Sequence, residues 1–246
     1  MSLLPRNDNN DIEIFIVRHG RSLGQDNIDA YKNLGDRNIP LTETGILQSV
    51  AAGEFLADYT NTNGIPLSII FNSTCKRADH TAENMHDALT NFGFVTRHPD
   101  ERINKQKFGR LDGLFTDEER RTRQPEAFAN FAAQLAAKGP YHARPAGGES
   151  IRDVFDRTAD FLSETLERPK SFIVVTHGLV ALCIEQALLG RSEEWVLQNT
   201  DKIANCEVRK IYGSADKGFK AETICDNPLQ WQQNRGNVST PQRQLA

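Results

Sequence analysis

The sequence predicts an α/β fold in which a mainly parallel β-sheet carries helices on both faces. Short apolar runs rich in β-branched residues alternate along the chain with longer segments whose apolar residues recur at helical spacing. This alternation is typical of parallel sheets, because parallel neighbours must be joined by a crossover that is usually a helix. The length of 246 residues suits one large domain, and no Gly/Ser-rich linker divides it.

Two strand and helix units make up the first part of the chain. The run "IEIFIV", beginning at Ile12, predicts the first strand, and Thr42 is placed to cap the helix that follows. The run "LSIIFNS" predicts the second strand, followed by a second helix. The expected buried faces are Leu47, Ala51 and Phe55 on the first helix, and Ala78, Ala82, Met85 and Leu89 on the second.

Two further units follow. The third begins with a strand near "FGFVTR" and continues into a helical insertion around residues 100–148, whose Phe128 and Phe131 are either core residues or part of a lid. The fourth has an amphipathic helix from Ile151 to Leu166, the strand "SFIVVTH", and a helix that stops at Gly190.

The chain ends differ in composition from the middle. We expect residues 1–11 to form a flexible segment and residues 12–225 a single domain, in which "CEVRKIYG" and "FKAETIC" are edge strands that are free to pair antiparallel. Residues 226–246, rich in Gln, Asn and Pro, are expected to be irregular or disordered.

Charge and hydropathy limit the classes of partner. The 29 basic and 33 acidic residues nearly balance, so composition gives no reason to expect a nucleic-acid or membrane partner. No apolar run reaches the length of a membrane span and no signal-peptide core is visible, so we expect a cytoplasmic protein. The four widely spaced cysteines predict neither disulfides nor zinc. The sequence does not indicate an oligomeric state.

Polar residues with chemical potential follow three of the predicted strands. Because the carboxyl ends of parallel strands meet at one sheet edge, where ligands bind, these residues should lie together. A histidine at a strand end is more often structural, but two strands here end in His-Gly. The residues delivered to this edge are Arg18, His19 and Gly20, then Asn72, Ser73 and Arg77, then Thr176, His177 and Gly178.

Two histidines beside two arginines suit phosphoryl transfer through histidine. Positive charge near an imidazole disfavours its protonated form and so keeps a nitrogen lone pair available for attack. Arginine also presents forked donors that match phosphate oxygens. We therefore expect His19 to be the nucleophile, Arg18 and Arg77 to form the phosphate clamp, and His177 to act as a third donor.

Five motifs carry a family resemblance: "VRHGRS", "IPLTETG", "NSTCKRADHTA", "PAGGESIRDVFDR" and "VVTHG" resemble the successive motifs of the histidine phosphatase superfamily, the phosphoglycerate mutase-like proteins. The resemblance implies a three-layer α/β/α sandwich, transient phosphorylation of His19, and no metal or organic cofactor. Within the superfamily, "RHGRSLGQDN" and "INKQKFGRLDG" are most similar to a phosphatase-type branch.

One departure from the family concerns the proton donor. The family usually has a carboxylic acid before the "FG" of this loop, and Lys105 stands there in "NKQKFG". General acid catalysis is worth about 10²- to 10⁴-fold, so its loss would slow turnover without abolishing it. Asp112, Glu101 and Glu149 are candidate replacements. Asp112 in "RLDG" is preferred, although it serves equally well as a turn residue.

Other departures concern the residues expected to bind substrate. Arg21 stands where many members have Glu, and Gln25 where many have Asn. If Arg21, Lys105, Lys107 and Arg110 face the pocket, a substrate with more than one anionic group is favoured; otherwise they form an ordinary solvated surface. The predicted substrate-binding set is Gly20, Arg21, Ser22, Gln25, Lys105, Glu149 and Gly178.

The sequence therefore predicts a phosphomonoester hydrolase acting on a small phosphorylated metabolite through a phosphohistidine. Two alternatives remain open. One is a phosphoglycerate mutase-type transfer, which shares the first step. The other is a catalytically impaired phosphate-binding protein, which the lysine at the acid position suggests.

Overall fold

A computed structural model describes residues 11–90, 95–167 and 170–237. Its described strands form one mixed sheet in the order β3-β2-β4-β1-β5-β6. Strands β3, β2, β4 and β1 run parallel, whereas β5 pairs antiparallel with both β1 and β6. The predicted α/β class is confirmed, and so is the antiparallel pairing of the last two strands. The bounds are Ile12–Arg18 (β1), Ile69–Asn72 (β2), Thr96–Pro99 (β3), Ser171–Thr176 (β4), Val208–Ser214 (β5) and Gly218–Cys225 (β6).

The described helices lie mostly in the connections between strands. The third predicted strand is seen as β3, although residues 91–94 before it lie outside the described ranges. The helices are Leu23–Asp26 (α1), Asp29–Leu34 (α2), Glu43–Asn63 (α3), Lys76–Thr90 (α4), Asp117–Arg123 (α5), Pro125–Lys138 (α6), Ile151–Thr165 (α7), Gly178–Leu189 (α8), Glu193–Asn199 (α9) and Pro228–Asn237 (α10).

The sheet has an apolar core on each face. Successive side chains of a strand point to opposite faces, so Ile14 and Ile16 of β1 join one core while Phe15 and Val17 join the other. Helices α7 and α8 cover the first face, and α3 and α4 cover the second. Helices on both faces of the sheet form the expected three layers.

Helix α3 begins as predicted but turns one expected core residue to solvent. The Thr42 hydroxyl caps the helix by accepting a hydrogen bond from the Gly45 amide at 3.1 Å. Ala51 and Phe55 are buried, but Leu47 is 59% exposed. The prediction for Leu47 is wrong because Gly45, about 200° away around the helix, packs against the loop that follows β1.

The C-terminal stretch corrects the expectation of an irregular tail. Residues Pro228–Asn237 form helix α10, which packs against α3. Trp231 lies edge-on to Phe55, with ring centroids 5.3 Å apart, and Arg235 pairs with Asp58 at 3.0 Å. These tertiary contacts stabilise a helix that composition alone does not predict. Residues 238–246 and residues 1–10 lie outside the described ranges.

The region predicted as a helical insertion contains α5 and α6. Helix α6 fully buries only Ala127, while Phe128 and Phe131 are half-buried, so the helix lies at the surface of the domain. All four cysteines are buried free thiols. Each helix in the described part of the chain is too short or too polar to cross a membrane.

Candidate active site

Three neighbouring strands end at the same point of the sheet. Strand β4 lies between β1 and β2, and the main-chain ladder continues one residue past the strands. The His19 amide donates to the Thr176 carbonyl at 2.9 Å, and the Ser73 amide donates to the Val175 carbonyl at 3.0 Å. This register brings the rings of His19 and His177 together, with centroids 5.1 Å apart.

The ring of His19 is held in one tautomer. Its Nδ1 lies 2.8 Å from the Gly20 carbonyl oxygen, which only accepts hydrogen bonds, so Nδ1 carries the proton. Arg77 Nε donates to the other nitrogen, Nε2, at 3.3 Å. Burial, followed by the positive charge of Arg77, holds the pKa of His19 well below its usual range. His19 is therefore a neutral imidazole with its lone pair on Nε2.

Two arginines flank this nitrogen. Arg77, only 1% exposed, donates to the Asp36 carbonyl oxygen at 2.6 Å and pairs with the Asp36 carboxylate at 3.3 Å. Arg18 donates to the Ile203 carbonyl oxygen, and its buried Nε has no hydrogen-bond partner among the described residues. Both guanidinium groups are thus anchored at one side while retaining donors for an anion.

His177 lies opposite His19 and is also buried. Its Nε2 lies 2.9 Å from the Ser73 hydroxyl, and its Nδ1 is buried with no partner in the described part of the chain. Burial is the main cause that lowers the pKa of His177, and the charge of Arg77 adds to it. A buried nitrogen without a partner in a native fold needs an explanation, of which a bound ligand is one.

The two depressed histidine pKa values predict how stability depends on pH. Below about pH 6.5 the unfolded chain binds protons on both rings while the folded chain does not, so acid favours unfolding. We expect the free energy of unfolding in urea to fall by about 2–3 kcal/mol from about pH 7.5 to about pH 5.5. A His177→Gln variant should lose about half of this fall, whereas the exposed His98→Gln should keep it. If the wild type were equally stable at both pH values, the conclusion that both histidine rings are neutral in the folded protein would be wrong.

The two histidines and two arginines open onto a cavity of about 190 Å³. Eight of the predicted site residues line it: Arg18, His19, Ser22, Gln25, Arg77, Lys105, His177 and Gly178. The remaining lining residues are Tyr31, Gln106, Phe108, Leu179, Thr200 and Asp201. Within the described ranges, no cluster of three or more His, Cys, Asp or Glu side chains could hold a metal ion.

Four predicted site residues lie away from this lining: Gly20, Arg21, Asp112 and Glu149. Arg21 pairs with Asp26 at an exposed position, its Nε donating at 2.6 Å. Glu149 accepts from Arg157 Nε at 2.9 Å. Asp112 lines a neighbouring cavity of about 390 Å³ and accepts from the Phe108 amide at 3.1 Å, which is the alternative role of a turn residue. Burial raises the pKa of the Asp112 carboxyl, but the structure does not bring it to the His19 pocket.

The structure requires a glycine at position 20 for a different reason from the one that the sequence suggests. The sequence suggests that it lets a ligand approach the main chain, yet Gly20 does not line the cavity. A Cβ on Gly20 would lie 2.5 Å from the Gly45 carbonyl oxygen, and a Cβ on Gly45 would overlap the Arg21 carbonyl oxygen. The loop after β1 and the first turn of α3 therefore pack backbone against backbone. Gly178, by contrast, does line the pocket.

Of the four basic residues expected at the rim, Lys105 alone lines the His19 cavity. Its ammonium group pairs with Asp36 at 2.9 Å and lies 5.4 Å from the centre of the Tyr31 ring. Lys107 lines the neighbouring cavity, and Arg110 is exposed. Asp36 thus joins Lys105 to Arg77, the residue that contacts His19.

The sequence did not single out several residues that shape the site. Asn205 donates to the His19 carbonyl oxygen at 2.8 Å and also contacts Gln25. Tyr31, like Asn205, lies in a stretch without a motif, so no sequence signal identifies it. Asn104 is different: it directly precedes Lys105 in the quoted loop and hydrogen-bonds the Ser73 hydroxyl at 2.7 Å.

Comparison with known proteins agrees with this geometry. The profile of the histidine phosphatase superfamily (branch 1) matches residues 14–227. The chain is 32% identical over 190 residues to a 2,3-bisphosphoglycerate-dependent phosphoglycerate mutase from Nitrobacter winogradskyi, covering 75% of this chain and 84% of that one. A protein of the same name from Rhizobium meliloti is 34% identical over 172 residues, covering 67% and 74% of the two chains.

Solved structures show the same fold. A mycobacterial glucosyl-3-phosphoglycerate phosphatase in complex with inorganic phosphate superposes with a TM-score of 0.64. It is 21% identical, and the match covers 90% of this chain and 99% of that one. At this identity the likeness concerns the fold alone.

Proposed function

The chain belongs to the histidine phosphatase superfamily (branch 1), whose members are phosphoryl-transfer enzymes, both mutases and phosphatases; from this premise we propose that it is a phosphomonoester hydrolase. His19 Nε2 attacks phosphorus as the ester P–O bond breaks, and the leaving alkoxide takes up a proton from solvent water. Water then attacks the phosphohistidine, the P–N bond breaks, and phosphate leaves.

The observation that carries this proposal is the state of His19. A neutral, buried imidazole with a fixed Nδ1 proton has its lone pair on Nε2, where Arg77 donates. Nucleophilic attack requires that lone pair, and the developing negative charge on the phosphoryl oxygens requires fixed donors. Arg18 and Arg77 supply donors beside the attacking nitrogen, in a cavity whose floor is formed by the buried side chains of His19, Arg77 and His177.

The distribution of cations favours hydrolysis of a substrate with a single anionic group. Beyond the two arginines, Lys105 is the one basic residue among those described as lining the cavity, and Asp36 already pairs with it. A mutase has to retain its anionic intermediate between two transfers, which additional cations would favour. The side chains of Tyr31, Phe108 and Leu179 form an apolar part of the wall. We therefore propose a small phosphorylated metabolite whose organic part is largely uncharged.

Two other functions are kept as alternatives on specific observations. The named relatives at 32% and 34% identity are phosphoglycerate mutases, which supports a mutase reaction. The lysine at position 105, where the family usually has a carboxylic acid, supports a phosphate-binding protein with little turnover.

One assay separates the three functions. The purified protein is given 3-phosphoglycerate and a panel of uncharged-leaving-group phosphomonoesters, and the products are followed by phosphate release and by conversion to 2-phosphoglycerate. Release of phosphate from panel members without 2-phosphoglycerate supports the hydrolase. Formation of 2-phosphoglycerate as the main product would instead establish the mutase, and the absence of any turnover would leave the binding protein.

Replacing Lys105 by Glu is expected to speed hydrolysis. The new carboxyl group would stand next to Asp36. Repulsion between the two carboxylates would raise the pKa of the new glutamate and so favour its protonated form, which can give a proton to the leaving oxygen. We expect kcat to rise by at least about 10-fold, which is less than the 10²- to 10⁴-fold that a well-positioned general acid contributes. Steady-state phosphate release measures this, with Lys105→Gln as the matched variant that removes the charge without supplying an acid. Equal kcat values for the two variants would contradict the prediction.

A further inference from the structure

Two buried side chains, Ser73 and Asn104, continue a chain of hydrogen bonds from the ring of His177. Ser73, fully buried at the end of β2, contacts His177 Nε2 at 2.9 Å and Asn104 Oδ1 at 2.7 Å. Asn104, 4% exposed, lies in the loop that carries Lys105. His177 is expected to be a third donor to the phosphoryl group, whereas Ser73 and Asn104 have no assigned role.

The hydrogen bonds fix the direction in which protons point along this chain. The Thr74 amide donates to Asn104 Oδ1 at 2.8 Å, which identifies that atom as the carbonyl oxygen, an acceptor. Ser73 lies 2.7 Å from the same oxygen and has one hydroxyl proton, which must point there to avoid a contact between two lone pairs. The Ser73 oxygen can then only accept from His177, so Nε2 of His177 carries a proton.

The tautomer of His177 is therefore opposite to that of His19. In the neutral ring of His177 the lone pair lies on Nδ1, which is buried and without a partner in the described part of the chain. A bare nitrogen cannot donate to a phosphoryl oxygen. It can form that hydrogen bond only when it gains a proton or when the phosphoryl oxygen brings one.

We propose that Ser73 and Asn104 are positioning residues that hold the proton of His177 on Nε2, so that a phosphoryl group enters this pocket together with one additional proton. The inference rests on the proposed function of the same pocket. It makes the number of protons in the bound complex a property set by two residues outside the lining of the cavity.

The charges around His177 explain why the proton arrives with the ligand. The groups whose charges act on it are His19 from the end of β1, Arg77 from α4, Lys105 from the loop after β3 and Arg157 from α7. Before a ligand binds, the positive charges in this set disfavour a second proton on the ring of His177. Arg157 is itself paired with Glu149, and Asp36 lies beside Arg77 and Lys105. A bound phosphoryl dianion reverses the balance, because its charge favours an imidazolium.

Inorganic phosphate is the probe that tests the proposal. Above about pH 8 free phosphate is a dianion, so calorimetric titration of the wild type in two buffers of different ionisation enthalpy counts the protons taken up. We expect about one proton per bound phosphate, and a dissociation constant that rises about 10-fold per pH unit from about pH 8 to about pH 9. Binding without proton uptake, or no binding of phosphate, would overturn the proposal.

Variants assign this uptake to the two residues. Ser73→Ala removes the acceptor for Nε2–H, and Asn104→Leu frees the Ser73 proton to turn toward Nε2; in both, the ring can carry its proton on Nδ1 and donate without gaining another. Proton uptake should fall to less than half of the wild-type value. Asn104→Asp keeps the acceptor and should retain the uptake, as should Ser49→Ala, which alters a buried serine of α3. Unchanged uptake in both Ser73→Ala and Asn104→Leu would contradict the assignment.

Two further readouts separate the proposal from other failures. Long-range ¹⁵N–¹H correlation spectra of the wild type should show His177 protonated on Nε2 and His19 on Nδ1, and they decide the question even if the variants do not fold. A proton on Nδ1 of His177 would overturn the proposal. Acid-labile phosphate on His19 after treatment with an activated phosphodonor tests the proposed hydrolase independently.

Discussion

Replacing His19 by alanine will abolish covalent phosphorylation and lower phosphate release by at least about 10⁴-fold, since loss of a hydrolase nucleophile costs on the order of 10⁶-fold. The effect is large because the attacking lone pair lies on a single nitrogen, Nε2 of His19. The Gly20 carbonyl orients the ring through Nδ1, and Arg77 contacts Nε2. Rapid quenching after addition of a ³²P-labelled phosphomonoester measures both quantities, because phosphohistidine is labile to acid and stable to base.

A matched histidine variant shows whether the loss is specific. His98 lies at the end of β3, is exposed, and is distant in the sheet from the carboxyl end of β1, so His98→Ala should label and turn over like the wild type. If the His19→Ala protein folds and still becomes labelled, or releases phosphate at the wild-type rate, the nucleophile has been assigned to the wrong residue.

Gly45→Ala is expected to have the largest effect on stability. The added methyl group would overlap the main-chain oxygen of Arg21, and neither backbone segment can yield without moving the His19 loop. Overpacking a well-packed core typically costs about 1–3 kcal/mol, and the atoms met here belong to the main chain, so we expect a loss of about 3 kcal/mol or more. This corresponds to a fall of about 6–12 °C in melting temperature. Activity should fall as well, because the shifted loop carries the nucleophile.

A second glycine provides the control. A Cβ on Gly178 would meet its nearest neighbour, the Thr200 carbonyl oxygen, at 3.6 Å, which is an ordinary contact. Gly178→Ala should therefore leave the melting temperature nearly unchanged. A Gly45→Ala protein as stable as Gly178→Ala would show that the loop and α3 are more loosely packed than the contact distances imply.

Hydrophobic periodicity was sufficient to predict most of the architecture. The alternating runs predicted the parallel strands. Because the ends of parallel strands meet at one edge of the sheet, the sequence also predicted that His19 and His177 lie close together, as their rings do. The failures occurred where the structure depends on a particular neighbour. Leu47 is turned to solvent by the packing of Gly45, and α10 depends on the contact of Trp231 with Phe55.

The same distinction holds within the site. For residues on or just beyond regular elements, such as Arg18 and Arg77, the periodicity of the strand or helix predicts where the side chain points. The direction of a loop side chain is instead set by its nearest partner. Arg21 turns to Asp26, Glu149 to Arg157, and Asp112 to its own turn, and none of these pairs has a spacing that the sequence reveals.

The position of β4 in the sheet has a consequence for how the molecule is made. This strand inserts between β1 and β2, although it is the last of the four parallel strands to leave the ribosome. Until Ser171–Thr176 has been synthesised, two central strand edges lack their partner and His19 faces a gap instead of His177. Long-range pairing of this kind folds slowly and exposes unpaired edges. The parallel part of the sheet and the pairing of His19 with His177 are therefore completed by the same late event, and a nascent chain that ends before His177 lacks half of this histidine pair.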